Sequence, residues 1–216
     1  KLIITIDGPS GAGKEKIAKY LSKKYNFYHL DSGILYRRLS AIIIKKEIEL
    51  NTDKDIKKFL SSIENLSPKR HKSLRKETIA KKASQIATKK QIRLFINKQQ
   101  HLIVSKIIKK YRGCVIDGRD IGSIVFKNAQ IKLFINVNAE IRAKRRHKQL
   151  IELGEKSIYS RILKDIKLRD KTDIYRKISP LSIPNDAIII DNSNSFQQTC
   201  YQINKIMKKN SNFPRN

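Results

Sequence analysis

The sequence contains no tryptophan and only two cysteines, Cys114 and Cys200, in 216 residues. Two cysteines cannot form a disulfide-rich scaffold, and their scarcity is typical of a protein in a reducing, cytoplasmic compartment. No apolar run reaches the roughly 18 residues that a membrane-spanning helix requires. The apolar run at residues 2–6 is too short for a signal peptide. We therefore expect a cytoplasmic protein with no membrane contact and no targeting segment.

Acidic residues are scarce, with 19 Asp and Glu against 48 Lys and Arg and a formal net charge of +29. A strongly basic chain is the first mark of a nucleic-acid-binding protein. Lysine, however, recurs along nearly every segment instead of forming one stripe, so we interpret it as a solvated surface, with a functional basic face as the alternative. Either surface would attract polyanionic substrates. The 36 isoleucines exclude full disorder, because disordered chains are poor in β-branched apolar residues.

Apolar, β-branched runs alternate with stretches in which apolar residues recur at helical spacing. This alternation predicts an α/β fold, with a parallel sheet covered by helices on both faces. Strands are predicted at 2–6, 27–30, 114–116, 131–135 and 187–190. Helices are predicted from about residue 17, and at 35–45, 53–63, 74–87, 92–108, 139–150, 157–169 and 195–207. No strand pattern occurs between 47 and 111, and Thr52 or Asp53 is the expected cap of the helix at 53–63.

The segment GPSGAGK at residues 8–14 lies between the first predicted strand and the first predicted helix. It matches the G-x-x-x-x-G-K pattern of a phosphate-binding P-loop, in the strand–helix context that this motif requires. The glycines let backbone N–H groups surround a phosphate, and the helix N-terminus adds positive potential. Lys14 would reach the β- and γ-phosphates of a nucleotide.

The two residues after this motif depart from its usual form. A P-loop normally places Ser or Thr after the lysine, where the hydroxyl helps to hold Mg²⁺, but this chain has Glu15 followed by Lys16. Three interpretations are open: Glu15 points outward as a helix-start residue, it contacts the metal directly or through water, or it impairs the site. We favour the outward orientation, because a carboxylate beside bound phosphates would repel them.

Three further motifs follow in order: LDSGxLYR at 30–37, DGRDIG at 117–122, and RDxxDxxR at 169–176 with SPL at 179–181. Together with GPSGAGK, this set resembles the bacterial cytidylate kinases of the nucleoside monophosphate kinase group. The resemblance extends from Ile3 to about Asp191. It implies a P-loop NMP-kinase-like three-layer fold, with a five-stranded parallel sheet, a helical CMP-binding segment and a lid.

The resemblance also implies an activity. The enzyme would transfer the γ-phosphoryl group of ATP to CMP or dCMP, giving ADP and CDP or dCDP, with Mg²⁺ as cofactor. Catalysis would rest on positioning and charge neutralisation without a covalent intermediate. We expect ATP and CMP or dCMP as partners in pyrimidine nucleotide metabolism, no specific nucleic acid, and a monomer.

Individual residues receive roles from the same resemblance. The ATP-binding residues would be Gly8, Pro9, Ser10, Gly11, Ala12, Gly13, Lys14, Glu15, Lys16 and Arg142, the last stacking on adenine. The CMP-binding residues would be Ser32, Tyr36, Arg37, Ser84, Arg93, Arg119, Asp120, Asp173 and Arg176. The catalytic residues would be Lys14, Arg119, Arg169 and Arg176, with Asp117 holding Mg²⁺ through water. Asp120 would read cytosine, because its carboxylate accepts from the N4 amine that uracil lacks. We expect Arg169 and Arg176 to face solvent in an open lid.

The resemblance divides the chain into a P-loop core at 1–46 and 112–209 with a lid within about 154–180, a mostly helical CMP-binding segment at 47–111, and a polar tail at 210–216. Bacterial cytidylate kinases usually carry a small antiparallel sheet in the second region, and this sequence lacks its pattern. Two rival functions remain open. One is another small-molecule P-loop kinase of the UMP or shikimate type. The other is a basic nucleotide- or nucleic-acid-binding protein whose catalysis Glu15 impairs.

Overall fold

A parallel sheet of five strands forms the centre of the computed structural model, which describes residues 1–209. The strands are β1 (Leu2–Asp7), β2 (Phe27–Asp31), β3 (Gly113–Asp117), β4 (Ile131–Asn136) and β5 (Ile188–Asp191). Their spatial order is β2-β3-β1-β4-β5, and each neighbouring pair is parallel. The predicted five-stranded parallel sheet is confirmed. The polar tail predicted at 210–216 lies outside the described residues.

Helices account for most of the remaining chain. The α-helices are α1 (Lys14–Tyr25), α2 (Ser32–Lys45), α3 (Asp53–Ser61), α4 (Glu77–Ile86), α5 (Lys90–Ile107), α6 (Ala139–Glu152), α7 (Tyr159–Tyr175) and α8 (Phe196–Lys209). Short 3-10 turns occupy Lys72–Arg75 and Ile108–Lys110, and a π-helical turn occupies Ile121–Val125. Over residues 1–209, none of these helices combines the length and the apolarity needed to cross a membrane.

Alternate residues of the strands face two separate hydrophobic cores. Phe27 and Val115 belong to the core shared with α1 and α8, whereas Leu30 and Ile116 belong to the core shared with α2 and α5. Successive side chains of a strand point to opposite faces, so both faces of the sheet are covered. The protein therefore has the predicted three-layer arrangement.

Two predicted helices differ from the structure. The helix predicted at 74–87 is divided into a 3-10 turn and α4, because Lys76 between them has extended backbone angles. The helix predicted at 157–169 begins later, at Tyr159, and continues to Tyr175. Its last turns bury Asp173 rather than an apolar residue, so the hydrophobic periodicity used for the prediction fades before the helix ends. Among the described residues of the 47–111 stretch there is no strand, as predicted.

Strands β1, β2 and β3 each end in an aspartate, and parallel strands bring their carboxyl ends to one edge of the sheet. Asp7, at the end of β1, accepts backbone hydrogen bonds from Ile121 at 2.9 Å and Gly122 at 2.7 Å. Burial raises the pKa of Asp7 to about 6, although these two amides act in the opposite direction. Asp7 thereby fixes the turn that follows β3 against the end of β1.

Thr52 is the N-cap of α3, and replacing it with alanine should lower the free energy of unfolding by about 1 kcal/mol. Its hydroxyl accepts from the backbone N–H of Asp55, and the Asp55 carboxylate accepts from the backbone N–H of Thr52 at 2.8 Å. Thr78→Ala, at an exposed position in the first turn of α4, should change the same quantity by less than about 0.5 kcal/mol. Urea denaturation measures both, and equal effects would contradict the capping role.

Candidate active site

The loop at residues 8–13 joins the end of β1 to the first turn of α1. Gly8 and Gly13 have φ angles of 146° and 87°, in the region that favours glycine. At Gly8 a side chain is also excluded by space, since a Cβ atom would lie 2.5 Å from the Ile135 carbonyl oxygen. A tight glycine loop at a helix N-terminus is the form of an anion-binding site.

A side chain from the far end of the chain supports this loop. Asn192, directly after β5, donates from Nδ2 to the Ala12 carbonyl oxygen at 2.8 Å. Its Oδ1 accepts a hydrogen bond of 2.7 Å from the Thr199 hydroxyl in α8, and both side chains are buried. The loop is therefore fixed by the last strand and the last helix. Sequence reasoning missed Asn192, because no motif distinguishes it from the other asparagines.

Lys14 is buried at the start of α1. Its Nζ donates to the carbonyl oxygens of Gly8 at 2.8 Å and Pro9 at 2.7 Å. Burial lowers the pKa of Lys14 well below its usual range, and the charge of Arg119 adds to this effect. The charge of Asp117 acts in the opposite direction. The lysine of the predicted P-loop thus lies between the loop, a second cation and the carboxylate that ends β3.

Glu15 forms ion pairs where α1 faces the 47–111 stretch. Its Oε1 lies 2.7 Å from Lys19 Nζ, one helical turn along α1. The same oxygen lies 3.3 Å from Arg75 Nη2 and 3.5 Å from Arg70 Nη1. Partial burial opposes ionisation, but the hydrogen bond from Lys19 and the two arginine charges prevail and lower the pKa of Glu15. The side chain is 40% exposed, so the structure places it at the surface with three cations compensating its charge.

Lys16 points away from the loop. Its Nζ lies 4.1 Å from the ring centroid of Phe196 in α8, within the range of a cation–π interaction. The contact joins the first helix to the last one. Neither of the two unusual residues that follow Lys14 therefore adds a hydroxyl to the loop, and both contact other elements of the fold.

Asp31 and Asp117 end neighbouring strands and are paired in the register of β2 and β3. Burial raises the pKa of Asp31, and the charge of Asp117 raises it further. Mg²⁺ prefers one or two carboxylates together with phosphates and waters, and these two aspartates fit that requirement. Asp7 does not, because both of its oxygens accept backbone hydrogen bonds. Within residues 1–209 no three His, Cys, Asp or Glu side chains form a metal site by themselves, so phosphates and waters would supply the other ligands.

Two arginines from separate elements lie close enough to Arg119 to be affected by its charge, as Lys14 does. Burial lowers the pKa of Arg169 in α7 to about 10, and the charge of Arg119, after β3, is the next cause. Burial also lowers the pKa of Arg37 in α2, with further contributions from Arg75 and Arg119. Buried cations that repel one another are costly unless anions compensate them. This part of the structure is therefore suited to a polyanion such as the phosphates of a nucleotide.

Asp120 lies at the centre of a second group of buried charges. Its Oδ2 is 2.9 Å from Arg93 Nη2, and its Oδ1 is 3.8 Å from Arg176 Nη2. The Arg93 guanidinium also lies 5.8 Å from the ring centroid of Tyr36. Burial raises the pKa of the Tyr36 hydroxyl to about 12. Four residues predicted to bind CMP are thus brought together from α2, α5, the turn after β3 and the end of α7.

Asp173 connects α7, which lies within the predicted lid, to this group. Its Oδ2 lies 2.9 Å from Arg119 Nε, and its Oδ1 lies 3.2 Å from Arg176 Nη1. The Nε of Arg176 donates to the Ser179 carbonyl oxygen at 2.6 Å. The expectation that Arg169 and Arg176 face solvent is wrong for this structure. Arg176 is held by two carboxylates and a carbonyl with its side chain only 7% exposed, and Arg169 is desolvated beside Arg119.

Arg142 is buried in α6. Its guanidinium contacts both the loop at 8–13 and helix α7. Its Nη1 donates to the Ser10 carbonyl oxygen at 2.8 Å, and its Nε donates to the Val137 carbonyl oxygen at 2.9 Å. Two further bonds, of 3.0 and 2.5 Å, reach the carboxylate of Asp170 in α7. The structure therefore places Arg142 beside the loop, as an adenine contact requires, with its donors engaged by protein.

The two predicted serines occupy different environments. The Ser32 hydroxyl donates to the Asp117 carbonyl oxygen at 2.7 Å and so joins the start of α2 to the end of β3. Ser84 is half-buried on α4, which packs against α2, and makes no side-chain hydrogen bond within residues 1–209. Arg37 donates to the Leu74 carbonyl oxygen at 3.0 Å. Ser84 is thus the predicted residue with the weakest connection to the others.

Sequence reasoning missed several residues of the site. His29 contacts Asp117, and both Arg70 and Arg75 contact Glu15. Asp170 binds Arg142. Only Asp170 carried a signal, since it stands inside the RDxxDxxR motif. The others lie in segments where lysine and arginine are so frequent that no single cation stands out.

Comparisons with known proteins agree with these observations. The family described as "Cytidylate kinase" matches residues 4–209. A cytidylate kinase of Thermosipho africanus (strain TCF52B) is 37% identical over 215 residues, covering 95% of this chain and 91% of the relative. A cytidylate kinase of Clostridium botulinum (strain Okra / Type B1) is 38% identical over 218 residues, covering 95% of this chain and 97% of the relative.

A solved structure, TT1252 from Thermus thermophilus, resembles the chain with a TM-score of 0.53 and 13% identity. The alignment covers 96% of this chain and 97% of that one. At this identity the likeness concerns the fold alone. It agrees with the three-layer arrangement built on β1–β5.

Asp170→Ala should lower the free energy of unfolding by about 2 kcal/mol, the order expected for bonds to a charged partner. The substitution removes both bonds from the carboxylate to Arg142 while keeping a good helix former in α7. Asp165→Ala, at an exposed position of the same helix, is the matched control and should have little effect. Thermal and urea unfolding measure the difference. An unchanged free energy of unfolding in the Asp170 variant would show that the contact between Arg142 and Asp170 adds no stability.

Proposed function

Since the chain belongs to the cytidylate kinase family, we propose that it transfers the γ-phosphoryl group of ATP to CMP or dCMP, giving ADP and CDP or dCDP. The observation that carries this proposal is a group of cations around Arg119: burial lowers the pKa of Lys14, Arg37 and Arg169, and the charge of Arg119 lowers each of them further. Such a cluster is suited to the phosphates of two nucleotides meeting at one point.

The ATP phosphates would bind in the loop at 8–13, against the N-terminus of α1 and Lys14. In this arrangement the backbone N–H groups of the loop and the Lys14 ammonium would stabilise charge on the β- and γ-phosphates. Arg142 would lie on the adenine side, because it contacts the loop at Ser10. Glu15 and Lys16 follow the loop in the first turn of α1, and their ion pair and cation–π contacts would direct them away from the phosphates.

CMP would bind among Asp120, Arg93, Tyr36 and Arg176. A carboxylate suits cytosine, because it accepts a hydrogen bond from the exocyclic N4 amine. Arg93 and Arg176 hold Asp120 in place through ion pairs of 2.9 and 3.8 Å. Further contacts would come from Asp173 to the ribose hydroxyls, and from Ser32, Arg37, Ser84 and Arg119 around the sugar and phosphate.

In the reaction a phosphate oxygen of CMP attacks the γ-phosphorus of ATP, and the bond from that phosphorus to the bridging oxygen of ADP breaks. Lys14, Arg119, Arg169 and Arg176 would stabilise the charge on the transferring group. Asp117 and Asp31 would hold Mg²⁺ through water, and the bound ion would neutralise part of the phosphate charge. No side chain needs to act as a nucleophile.

The lid would exclude water from the transferring group. Asp173 and Arg176 connect α7 to Arg119 and Asp120 on the core, so the lid can close on the same residues that contact substrate. Exclusion of water limits hydrolysis of ATP in place of transfer. The division into a core, a CMP-binding segment at 47–111 and a lid at about 154–180 is part of this proposal, as are a monomeric state and a cytoplasmic location.

CMP should be the best acceptor, with a kcat/KM at least about 100-fold above that of UMP and AMP. A site that presents a buried acceptor to an amine rejects UMP, which lacks that amine, by a large factor. AMP carries an amine, but its purine ring is larger than the cytosine that the site would hold. A coupled assay of ADP formation with ATP and each nucleoside monophosphate measures this. Equal turnover of CMP and UMP would remove the assignment of Asp120 and favour another small-molecule P-loop kinase.

Lys14→Met should reduce kcat by at least about 1,000-fold, because it removes a charge that is stronger in the transition state than in the ground state. The fold should persist, since methionine fills the buried stem of the lysine. Lys23→Met, at an exposed position of α1, is the matched control and should leave kcat unchanged. Retention of wild-type kcat by the Lys14 variant would contradict the phosphate-binding role of the loop.

A further inference from the structure

His29, near the end of β2, contacts Asp117, the carboxylate that would face the metal. Its Nε2 lies 2.5 Å from Asp117 Oδ1, and the two side chains are 7% and 9% exposed. An ionised carboxylate can only accept hydrogen bonds, so Nε2 carries the proton and donates. One oxygen of Asp117 is therefore held by protein, and Oδ2 is the oxygen left for other partners.

Arg70 covers the imidazole of His29. Its Nη2 lies 3.0 Å from Nδ1 and 3.4 Å from Nε2, so the guanidinium rests against the face of the ring. Arg70 is itself held by Glu15 at 3.5 Å and by Asp31 at 4.0 Å. The ring is thus enclosed between the sheet edge and a cation from the 62–76 stretch, which restricts its rotation.

The neighbours of Asp117 explain why its orientation needs fixing. The charge of Asp117 raises the pKa of Lys14, so the carboxylate and the P-loop ammonium are close. A carboxylate without the bond to His29 would be free to turn towards Lys14 and neutralise the charge that serves the phosphates. The hydrogen bond from His29 holds one oxygen of this carboxylate towards β2, whereas Lys14 follows β1 on the other side of β3.

We propose that His29 is a positioning residue that fixes the Asp117 carboxylate for a nucleotide-bound Mg²⁺ ion. The inference rests on the proposed function, because it presupposes that Mg²⁺ and nucleotide meet at Asp117. Arg70 assists by confining the ring, and Glu15 assists by holding Arg70. The unusual glutamate after the P-loop lysine thereby belongs to the support of the site.

The test compares ADP binding by isothermal titration calorimetry across a range of Mg²⁺ concentrations and without Mg²⁺. His29→Leu removes the donor, whereas His29→Gln keeps an N–H donor at about the same distance from the backbone. Mg²⁺ is expected to increase the affinity for ADP. We expect His29→Leu to need about 10-fold more Mg²⁺ than wild type to reach half of that increase, as for other residues that orient a metal ligand. ADP binding without Mg²⁺ should stay within about twofold of wild type, and His29→Gln should restore most of the Mg²⁺ response.

Thermal unfolding of each variant separates positioning from a structural role. His29→Asn, whose amide is too short to reach Asp117, replaces the leucine variant if that variant does not fold. His101→Leu on α5 is the control: it removes a ring contact of 4.5 Å with Phe126, so it tests for a general loss of stability, and its Mg²⁺ response should match wild type. If the leucine and glutamine variants are equally destabilised and equally impaired, His29 is structural and the inference is overturned.

Asp117→Asn separates this inference from the proposed function. If Asp117→Asn loses the Mg²⁺ response and His29→Leu keeps the wild-type midpoint, the inference alone is overturned. If Asp117→Asn responds to Mg²⁺ like wild type, the metal role of Asp117 is wrong and the inference falls with it. A shared shift in the Asp117→Asn and His29→Leu variants, with recovery in His29→Gln, supports the positioning role.

Discussion

Repulsion among buried cations at the carboxyl edge of the sheet is the constraint on which the rest of the site depends. Burial lowers the pKa of Lys14 and of Arg169, and the charge of Arg119 lowers both further. Carboxylates on three different elements lie among the cations of the site: Asp117 on β3 acts on Lys14, Asp120 in the following turn pairs with Arg93 and Arg176, and Asp173 on α7 pairs with Arg119. The balance is incomplete without anions, which is why a site of this composition suits substrates that are themselves polyanions.

The same principle explains how the chain accommodates a glutamate where P-loops carry a hydroxyl. An uncompensated carboxylate at residue 15 would repel phosphates, but Arg70, Arg75 and Lys19 surround it. Two of those cations come from the stretch between α3 and α4, so the compensation also joins that stretch to α1. Most of the positive charge of the chain is spread over solvated surface, but these three cations compensate the carboxylate of Glu15.

Sequence reasoning predicted the five strands, their parallel arrangement, the loop at 8–14 and the helical character of 47–111, because each depends on local periodicity or a short motif. It could not predict the burial of Arg176, because Asp120, one of its two carboxylate partners, is distant in the sequence, although the other, Asp173, lies three residues before it in the same motif. The contact of His29 with Asp117 follows from the register of β2 on β3 and from side-chain direction, neither of which the sequence displays. The roles of the individual site residues stay predictions until substrate binding is measured.

Asn192 gives the phosphate loop an unusual dependence on the order of synthesis. A ribosome makes the loop 180 residues before the Asn192 amide that holds the Ala12 carbonyl oxygen, and Thr199 of α8, which holds Asn192, follows later still. Domains generally fold as units, and this loop cannot take its supported form until β5 has joined the edge of the sheet. A nascent or truncated chain that ends before β5 would expose a glycine loop without its anchor, so nucleotide binding would arise only after β5 and α8 have been made.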